Sequence, residues 1–205
     1  MRLWSFEETA AGALPAGWAP SETNGDEQPA TWSVVQADGA AQGERHLRVA
    51  TTNTGSTYNL LLSSDAYPAD LELAVWVRAD GGAEDRGGGL LWRARDADHY
   101  WIARWNPLER NLRLYVVEQG ARRTLASAEF DADPAAWHEL RVVARGARAT
   151  VLFDGVERLS HEDPALPDGG RIGFWSKADA ATSFDALTLA LPAPAGGPIP
   201  GPEPR

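Results

Sequence analysis

Alternation of apolar and polar residues between Gly88 and Gly120 is the feature that most constrains the fold. The stretch reads GGLLWRARDADHYWIARWNPLERNLRLYVVEQG and contains five aromatic residues and five arginines. A period of two is typical of strands that other structure covers on one face. The stretch therefore predicts three consecutive strands. Trp, Tyr and Arg side by side on such strands also suit a surface that stacks on flat ligands or sugar rings.

Short apolar or alternating runs recur along the rest of the chain, with turn residues between them. The Asp154-Gly155 pair indicates a tight hairpin turn within residues 148–159. Since helical periodicity is weak throughout, we predict an all-β chain that folds as an antiparallel two-sheet β-sandwich of ten or so strands. The other strands are expected at Leu3–Phe6, Thr31–Gln36, His46–Ala50, Asn59–Leu62, Leu71–Ala79, Trp137–Ala144, Arg171–Ser176 and Phe184–Leu191.

Length and composition predict one domain followed by a tail. The chain has 205 residues, of which 43% are hydrophobic, enough for one sandwich with a proper core. Residues 192–205 contain six prolines and three glycines, so they cannot form a packed element. We therefore expect a β-sandwich domain over residues 1–191 and a tail or linker over 192–205 that could connect to other domains.

The charge and the absence of cysteine exclude several classes of function. A net charge of −10 argues against nucleic acid and against anionic membrane surfaces as partners. The chain has no cysteine, which removes disulfides, thiolate metal sites and Cys nucleophiles. No segment approaches the roughly 18 apolar residues of a membrane helix, so no membrane insertion is expected. The first residues lack a signal-peptide pattern, which leaves an intracellular protein, or a secreted one whose signal is absent from this chain.

Motifs in a fixed order extend over nearly the whole chain up to Leu191. They are FEE and LPAGW near the start, then WSVVQADG, LELAVWVRA, GGGLLWRARDADHYW, NLRLYVVEQGARRTLAS, WHELRVVARGARATVLFDGV, GRIGFWS and SFDALTL. This series resembles the concanavalin A-like lectin/glucanase jelly rolls. More narrowly, it is similar to the laminin-G-like domains near the 3-keto-disaccharide hydrolase-like family.

The resemblance implies a jelly-roll fold but leaves the function open, because this architecture serves carbohydrate-binding modules, glycosidases and proteins of unassigned role. The two-carboxylate glucanase signature E-x-D-x-x-E is absent from the chain. Its absence argues against retaining hydrolysis, in which two carboxyls flank one bond at about 5–5.5 Å.

The candidate ligand surface combines tryptophan, tyrosine and arginine from several strands. As a binding groove, its rings would stack on a sugar while its guanidinium groups hold hydroxyls or a carboxylate. The alternative interpretation is a solvated network of arginines and acids, with tryptophans that fill the core. The candidate ligand-binding residues are Trp76, Arg78, Arg93, Arg104, Trp105, Tyr115 and Trp175.

Strand parity divides these candidates between the two faces of each strand. We expect Arg93 on the polar face with Trp76, and Trp92 in the core, because arginine is the costlier residue to bury. In the HYWIARW segment, Arg104 shares one face with Tyr100, and Trp101 and Trp105 share the other. Either face could be the polar one.

Two residues are candidates for catalysis, and two others for binding a metal ion. His99, beside Asp96 and Asp98, could act as a general base, although a solvated histidine at a turn is the alternative. Glu72 is the candidate carboxylate. Sandwiches of the family that the chain resembles often carry a structural calcium between the first and last strands, which implies Glu7, or Glu8 beside it, and Asp185 as ligands. The alternative is that Asp185 caps a turn or pairs with an arginine.

The leading hypothesis is a non-catalytic, lectin-like domain that binds a carbohydrate or polysaccharide, with no required cofactor. The alternative is a glycoside-cleaving enzyme similar to the 3-keto-disaccharide hydrolases, with His99 or Glu72 in the same groove. A third interpretation is a protein-interaction module attached through the tail.

Overall fold

The computed structural model of the chain describes residues 1–26, 28–37 and 39–192. The predicted tail from residue 193 onward therefore lies outside the described residues. The described part forms fifteen β-strands and no helix. Within it, no helix is long and apolar enough to cross a membrane.

The strands form two antiparallel sheets, which confirms the predicted two-sheet β-sandwich. Sheet 1 contains, in spatial order, β13 (Val156–Glu162), β12 (Arg148–Phe153), β11 (His138–Arg145), β6 (Leu71–Gly81), β15 (Ala181–Ala190), β4 (Arg45–Ala50) and β3 (Thr31–Gln36), with β1 (Arg2–Trp4) paired to β15. Sheet 2 contains β10 (Ala121–Glu129), β9 (Asn111–Glu118), β8 (His99–Asn106), β7 (Gly88–Asp96), β14 (Gly170–Lys177), β5 (Tyr58–Tyr67) and β2 (Trp18–Thr23).

In strand β6, the alternation of side chains determines which residues enter the core between the sheets. Leu73, Val75 and Val77 are completely or almost completely buried and belong to the central cluster. Trp76 and Arg78 are half-buried and face the opposite way, because successive side chains of a strand point to opposite faces. The predicted parity of this strand is confirmed, and its polar residues lie on the outer face of sheet 1.

The inner face of sheet 2 contributes large aromatic residues to the same core. Trp92, Trp101 and Trp105 are fully or almost fully buried there. The Trp105 ring lies 5.1 Å from the His138 ring and 5.3 Å from the Phe153 ring, which are both on sheet 1 strands or their ends. The expected core position of Trp92 is confirmed. The sequence left open which face of β8 is polar. In the structure, Trp101 and Trp105 point into the core between the sheets.

The outer face of sheet 2 is also buried, which the sequence did not predict. A second apolar cluster there includes Leu60, Leu91, Ile102, Tyr115 and Trp175, each at most 1% exposed. Sheet 2 is therefore covered on both faces, unlike the half-covered sheet that alternation usually indicates.

Sheet 2 curls until its edge strand β2 meets turns from the far side of the same sheet. The Thr23 hydroxyl donates to the main-chain oxygen of Ala97, and Asn24 donates to that of Gly120 at 2.9 Å. Since the Thr23 hydrogen is used in this way, the Tyr100 hydroxyl donates to Thr23 Oγ1 at 2.7 Å. These bonds close the concave side of the sheet over its own side chains.

Arg93 lies in a bulge of β7 rather than on the face of Trp76, which corrects the expected parity. Its φ of 53° is in the left-handed region, and the bulge directs the side chain towards one end of the sandwich. The guanidinium donates to the main-chain oxygens of Ala69, Gly146 and Leu166 at 2.6–3.4 Å. Burial lowers the pKa of Arg93. Three loops are therefore joined by one buried cation.

We expect Arg93→Met to lower the free energy of unfolding by about 2–4 kcal/mol, because the carbonyls of three loops lose a charged donor. Urea unfolding followed by tryptophan fluorescence measures the change. The matched control is Arg95→Met on the same strand, whose side chain is 64% exposed. The control should change stability by no more than about 0.5 kcal/mol. Equal effects of the two substitutions would contradict the structural role of Arg93.

Candidate functional site

The structure does not bring the predicted ligand-binding residues into one groove. They occupy four places: the outer face of sheet 1, the outer face of sheet 2, the core, and one end of the sandwich. Trp76 and Arg78 lie on the outer face of sheet 1, and Arg104, Tyr115 and Trp175 lie on the outer face of sheet 2. Trp105 lies in the core, and Arg93 lies at one end of the sandwich. Because Trp105 has no exposed surface, it cannot stack on a ligand from solution in this structure. Apart from Trp105 and Arg93, the candidates lie on two separate surfaces, the outer faces of sheet 1 and sheet 2.

The outer face of sheet 1 contains a cleft of about 220 Å³ beside Trp76, which we name the Trp76 groove. Ala74, Ala186 and Thr188 contribute short side chains to it. Small residues next to a large indole leave room for a flat ligand to approach the sheet. The groove is also lined by Glu72, Glu139 and Arg141.

Trp76 differs from the other tryptophans that reach the surface in having no ring or cation over it among the described residues. Of the nine tryptophans, only Trp4, Trp76 and Trp137 reach the surface. The guanidinium of Arg2 lies 4.4 Å from the Trp4 ring, and that of Arg78 lies 4.6 Å from the Trp137 ring. In the part of the chain that the structure describes, neither a second ring nor a cation lies over Trp76. The exposed part of this half-buried indole therefore has neither a ring nor a guanidinium of the described chain over it.

Three charged side chains, Glu72, Glu139 and Arg141, form ion pairs beside this indole, and we name them the charged ladder. Arg141 makes a bidentate contact to the carboxylate of Glu139, with both distances 3.2 Å, and also donates to Glu72. The three side chains are 25–35% exposed, so each keeps contact with solvent. The groove thus offers one stacking ring flanked by both hydrogen-bond donors and acceptors.

Arg78, predicted as a ligand-binding residue, holds a loop in place on the same face. It donates to Asp80 at 2.7 Å and to the main-chain oxygen of Gly39 at 3.2 Å. The Trp137 indole donates to the same oxygen at 2.7 Å. Arg78 is therefore already paired, and it lies near the Trp76 groove rather than in it.

The outer face of sheet 2 contains a buried charged network around Arg104. The Arg104 guanidinium contacts Asp85 and Glu109 at 3.3 Å and the hydroxyl of Tyr115 at the same distance. Asp85 also accepts from Asn106 at 2.9 Å and lies 3.3 Å from Lys177. Arg104 and Asp85 are 1% and 2% exposed, so this charge pair is almost fully removed from water.

Glu109 connects the network to solvent. It is 42% exposed, lies 2.9 Å from Arg113 and lines a surface cleft of about 450 Å³. Burial alone would raise the pKa of Glu109, but the hydrogen bond and charge of Arg104, together with Asn111 and Arg113, lower it to about 2. Burial by itself would lower the pKa of Arg104. The negative charges of Asp85 and Glu109 outweigh this effect, so the pKa of Arg104 is raised.

Arg122 covers the aromatic part of this face. Its guanidinium lies 4.3 Å from the ring of Tyr115, 5.2 Å from Tyr58 and 5.8 Å from Trp175. Trp175 and Tyr115 are consequently shielded, although both were predicted to face a ligand. Tyr115 and Trp175 do lie together with Arg104 on one surface, as three members of the predicted groove.

The two candidate catalytic residues lie in different sheets. His99 bonds through Nδ1 to Asp96 at 2.7 Å, and its Nε2 accepts from the main chain of Gln119 at 3.2 Å. These are contacts of a turn, which was the alternative interpretation. Glu72 pairs with Arg141 on sheet 1. The structure does not bring the two side chains to a common partner.

Glu7 and Asp185, the predicted calcium ligands, anchor the loop before β4. Glu7 accepts from the main chain of Glu44 and Arg45 at 3.0 and 2.9 Å, and Asp185 accepts from that of Gln42 at 2.8 Å. Burial raises the pKa of Asp185 to about 6, and the charge of Glu7 adds to the rise. Among the described residues, no group of three or more acidic or histidine side chains could hold a metal ion. The side chains present do not by themselves supply the six to eight oxygens that calcium takes.

Sequence reasoning missed several residues of both surfaces. Asp85 was not singled out in the sequence, yet it is buried and its main-chain N–H donates to Asp179 at 2.9 Å. Arg122 and Arg141 were not singled out. The signal that could have found Arg122 is its parity with Tyr115 across the β9–β10 hairpin, because Arg122 pairs with Val117.

Comparison with known proteins supports the fold. No family model matches the chain, and no curated protein matches it. The fold is similar to that of carbohydrate binding module CBM66 from Bacillus subtilis, with a TM-score of 0.67, 20% identity, and 84% of this chain and 94% of that chain covered. The cellulose induced protein Cip1 is similar over 96% of this chain and 100% of its own, with a TM-score of 0.66 and 12% identity.

A third similar structure is domain 4 of AbnA, a GH43 extracellular arabinanase from Geobacillus stearothermophilus, in complex with arabinotriose. It has a TM-score of 0.58 and 12% identity, and the match covers 91% of this chain and 89% of that one. At these identities the likeness concerns the fold alone. The chain therefore has a concanavalin A-like sandwich fold. Membership of the 3-keto-disaccharide hydrolase-like family stays a prediction.

The lowered pKa of Glu109 predicts a pH-dependent contribution to stability. Because its pKa is about 2 in the folded state and 4.5 ordinarily, the carboxylate stabilises the fold above pH 4.5, and this contribution is lost as the pH falls towards 2. We expect Glu109→Gln to lower Tm at pH 7 by no more than a few degrees, since solvent screens the exposed part of the group. The difference from the wild type should shrink between pH 4.5 and 2.

Thermal unfolding followed by circular dichroism over this pH range measures the effect. Glu118→Gln is the matched control, because Glu118 is 49% exposed and its one ion pair, to Arg123, spans 3.8 Å. A Tm difference for Glu109→Gln that stays constant with pH would contradict the coupling to Arg104.

Proposed function

We propose that this chain is a carbohydrate-binding, lectin-like β-sandwich that does not cleave its ligand, and that the Trp76 groove holds the sugar. The observation that carries this proposal is the partly exposed Trp76 ring, which lies between short side chains and the charged ladder on an open sheet face. Aromatic rings with one accessible face provide a large contact area, and the polar groups at the edge provide orientation.

The chemistry of the groove suits a sugar ring. The C–H face of a pyranose or furanose would pack on the indole, where apolar contact area is gained without loss of hydroxyl hydration. Arg141 has donors for ring or hydroxyl oxygens, and the carboxylates of Glu72 and Glu139 accept from hydroxyl groups. Hydrogen bonds with a charged partner are the stronger ones, so the ladder can fix the register of a sugar on the ring.

The structural neighbours support the same proposal at the level of class. They include a carbohydrate binding module and an arabinanase domain in complex with arabinotriose. A carbohydrate or polysaccharide is accordingly the ligand that we propose for this chain.

Two observations favour binding over turnover. His99 and Glu72, the candidate catalytic residues, lie in different sheets and contact different partners. The other acidic pair, Asp85 and Glu109, is held by Arg104, and the pKa of Glu109 is lowered to about 2. A glycosidase needs one carboxyl with a raised pKa that can reach the leaving group. The pKa of Asp185 is raised to about 6 by burial, but this side chain is fully buried and accepts from the main chain of Gln42 and Ala186. The enzyme alternative predicts sugar release that His99→Ala or Glu72→Gln abolishes.

We expect Trp76→Ala to weaken glycan binding by at least about tenfold, because stacking on an aromatic ring is lost together with its buried contact area. A glycan array identifies a ligand, and affinity electrophoresis or calorimetry then measures the change in Kd. Trp4→Ala is the matched control, because Trp4 also reaches the surface but is covered by Arg2. Unchanged binding by Trp76→Ala, with a loss in Trp4→Ala, would refute the assignment of the groove.

A structural calcium bound by Glu7 and Asp185 is a second proposal, for which main-chain oxygens would have to complete the shell. The pKa of Asp185 is raised mainly by burial and to a smaller extent by the charge of Glu7, and a cation between the two carboxylates would offset both effects. We expect millimolar Ca²⁺ to raise the Tm of the wild type at pH 7.5 relative to EDTA, and to have no effect on Glu7→Gln. An identical Tm of the wild type in Ca²⁺ and in EDTA would exclude the site.

A further inference from the structure

Arg122 is a partly buried cation whose charge no acidic residue neutralises. Its guanidinium lies against three aromatic rings, and its Nη1 atom is buried without a hydrogen-bond partner among the described residues. No carboxylate forms an ion pair with it in the part of the chain that the structure describes. By contrast, its neighbour Arg123 lies 2.8 Å from Asp163.

Such an arrangement is costly unless a ligand completes it. A buried donor left without a partner costs about 1–3 kcal/mol, and more when the group is charged. Contact with the rings recovers about 0.5–2 kcal/mol and leaves the N–H donors unused. The buried Nη1 atom shares this state with several others, among them Arg104 Nε and Trp175 Nε1, and a ligand cannot reach it directly. The Arg122 side chain as a whole is partly exposed, however, and makes no hydrogen bond among the described residues, so its remaining donors can contact an acceptor from solution.

The charges around Arg122 favour an anion as that acceptor. The ion pairs and ring contacts of the outer face of sheet 2 bring together four cations, Arg104, Arg113, Arg122 and Lys177, and two anions, Asp85 and Glu109. The charge of Asp98 also acts on Tyr100 of this face, so these cations outnumber the anions by one in a chain whose net charge is −10. Asp85 and Glu109 already contact Arg104, so neither is available to Arg122.

Tyr115 places a second guanidinium close to the first. Arg122 lies over its ring, and Nη1 of Arg113 lies 3.4 Å from its hydroxyl. Arg113 is 33% exposed and has one carboxylate partner, Glu109. Both guanidinium groups therefore contact the same tyrosine, one at its ring and one at its hydroxyl, and the fork of an arginine matches the geometry of a planar carboxylate.

We propose that the outer face of sheet 2 binds the carboxylate of an acidic sugar, with Arg122 and Arg113 as the groups that contact it. The proposal rests on the proposed function for the sugar and adds a second surface, on the opposite side of the sandwich from Trp76. A single negative charge suits the site better than a dianion does, because the whole chain is acidic and repels anions in proportion to their charge. The ligand class is therefore a uronate-containing glycan.

The test compares three probes on the full chain by calorimetry at low salt: trigalacturonate, its methyl ester and inorganic phosphate. The ester has the same sugar backbone without the charge. We expect the wild type to bind the acid about tenfold or more tightly than the ester. Arg122→Gln should remove this preference, and Arg122→Lys should restore part of it because the charge is kept.

Arg123→Gln is the matched control, since Arg123 lies next to Arg122 in the chain, points to the other face of β10 and is paired. It should leave the preference unchanged. Thermal unfolding of each variant shows that the fold is retained.

Three other results would each contradict the inference or part of it. Equal binding of acid and ester, or no binding of the acid, would overturn the inference. Neither result bears on the proposed function, which is tested separately by the effect of Trp76→Ala on the binding of the glycan that the array identifies. Phosphate binding that equals or exceeds trigalacturonate binding and depends on Arg122 would overturn the sugar assignment and leave a simple anion site.

Discussion

The closure of sheet 2 on itself is the constraint from which the two faces of the molecule follow. Hydrogen bonds from Thr23 and Asn24, at the end of β2, reach the turns on the far side of the same sheet. A sheet that curls this far covers its own concave side. Trp175 and Tyr100, on the outer face, are consequently as well buried as the residues between the sheets. Sheet 1 has no such closure, and its outer face stays open.

Burial on both faces explains why sheet 2 carries its charges as a network. Arg104 on β8 cannot reach bulk water, and removing a guanidinium from water is costly unless carboxylates and hydrogen bonds replace the solvent. Asp85 and Glu109 provide these partners, and Lys177 in turn balances Asp85. Breaking one contact would leave a buried charge unpaired, so the network fixes side-chain positions at the end of the concave face.

The two surfaces differ in what they can offer a ligand. The Trp76 groove presents a partly exposed indole with no ring or cation of the described residues over it, beside the ion pairs of Arg141. The rings of sheet 2 are covered by Arg122, so that face offers guanidinium groups rather than a stacking platform. A neutral sugar and a carboxylate therefore fit different sides of the sandwich.

The sequence predicted the architecture well, because period-two alternation and turn residues act locally. The inward set of β6 and the hairpin at Asp154-Gly155 were both correct. Parity was ambiguous in sheet 2, where both faces are apolar and alternation carries little information. Two strands, β2 and β10, were not predicted separately, since β2 (WAPSET) contains a proline and no apolar alternation, and β10 is polar along most of its length.

The composition of the candidate sites was predictable only in part. Tryptophan and arginine were identified as the relevant residue types, and Trp76 was correctly placed on a polar face. The position of Arg93 depended on a bulge with positive φ, which alternation does not reveal. The neighbours of Arg104 come from a distant loop and a turn, and such long-range contacts have no local signal.

The most direct test of the account is a titration of the ¹⁵N-labelled protein with a neutral glycan ligand, followed through the indole N–H signals of its nine tryptophans. The account predicts that the Trp76 signal shifts with ligand concentration, while the six buried tryptophans keep their positions. A saturable shift of Trp175 with no change at Trp76 would contradict it, because the sugar would then lie on the covered face of sheet 2.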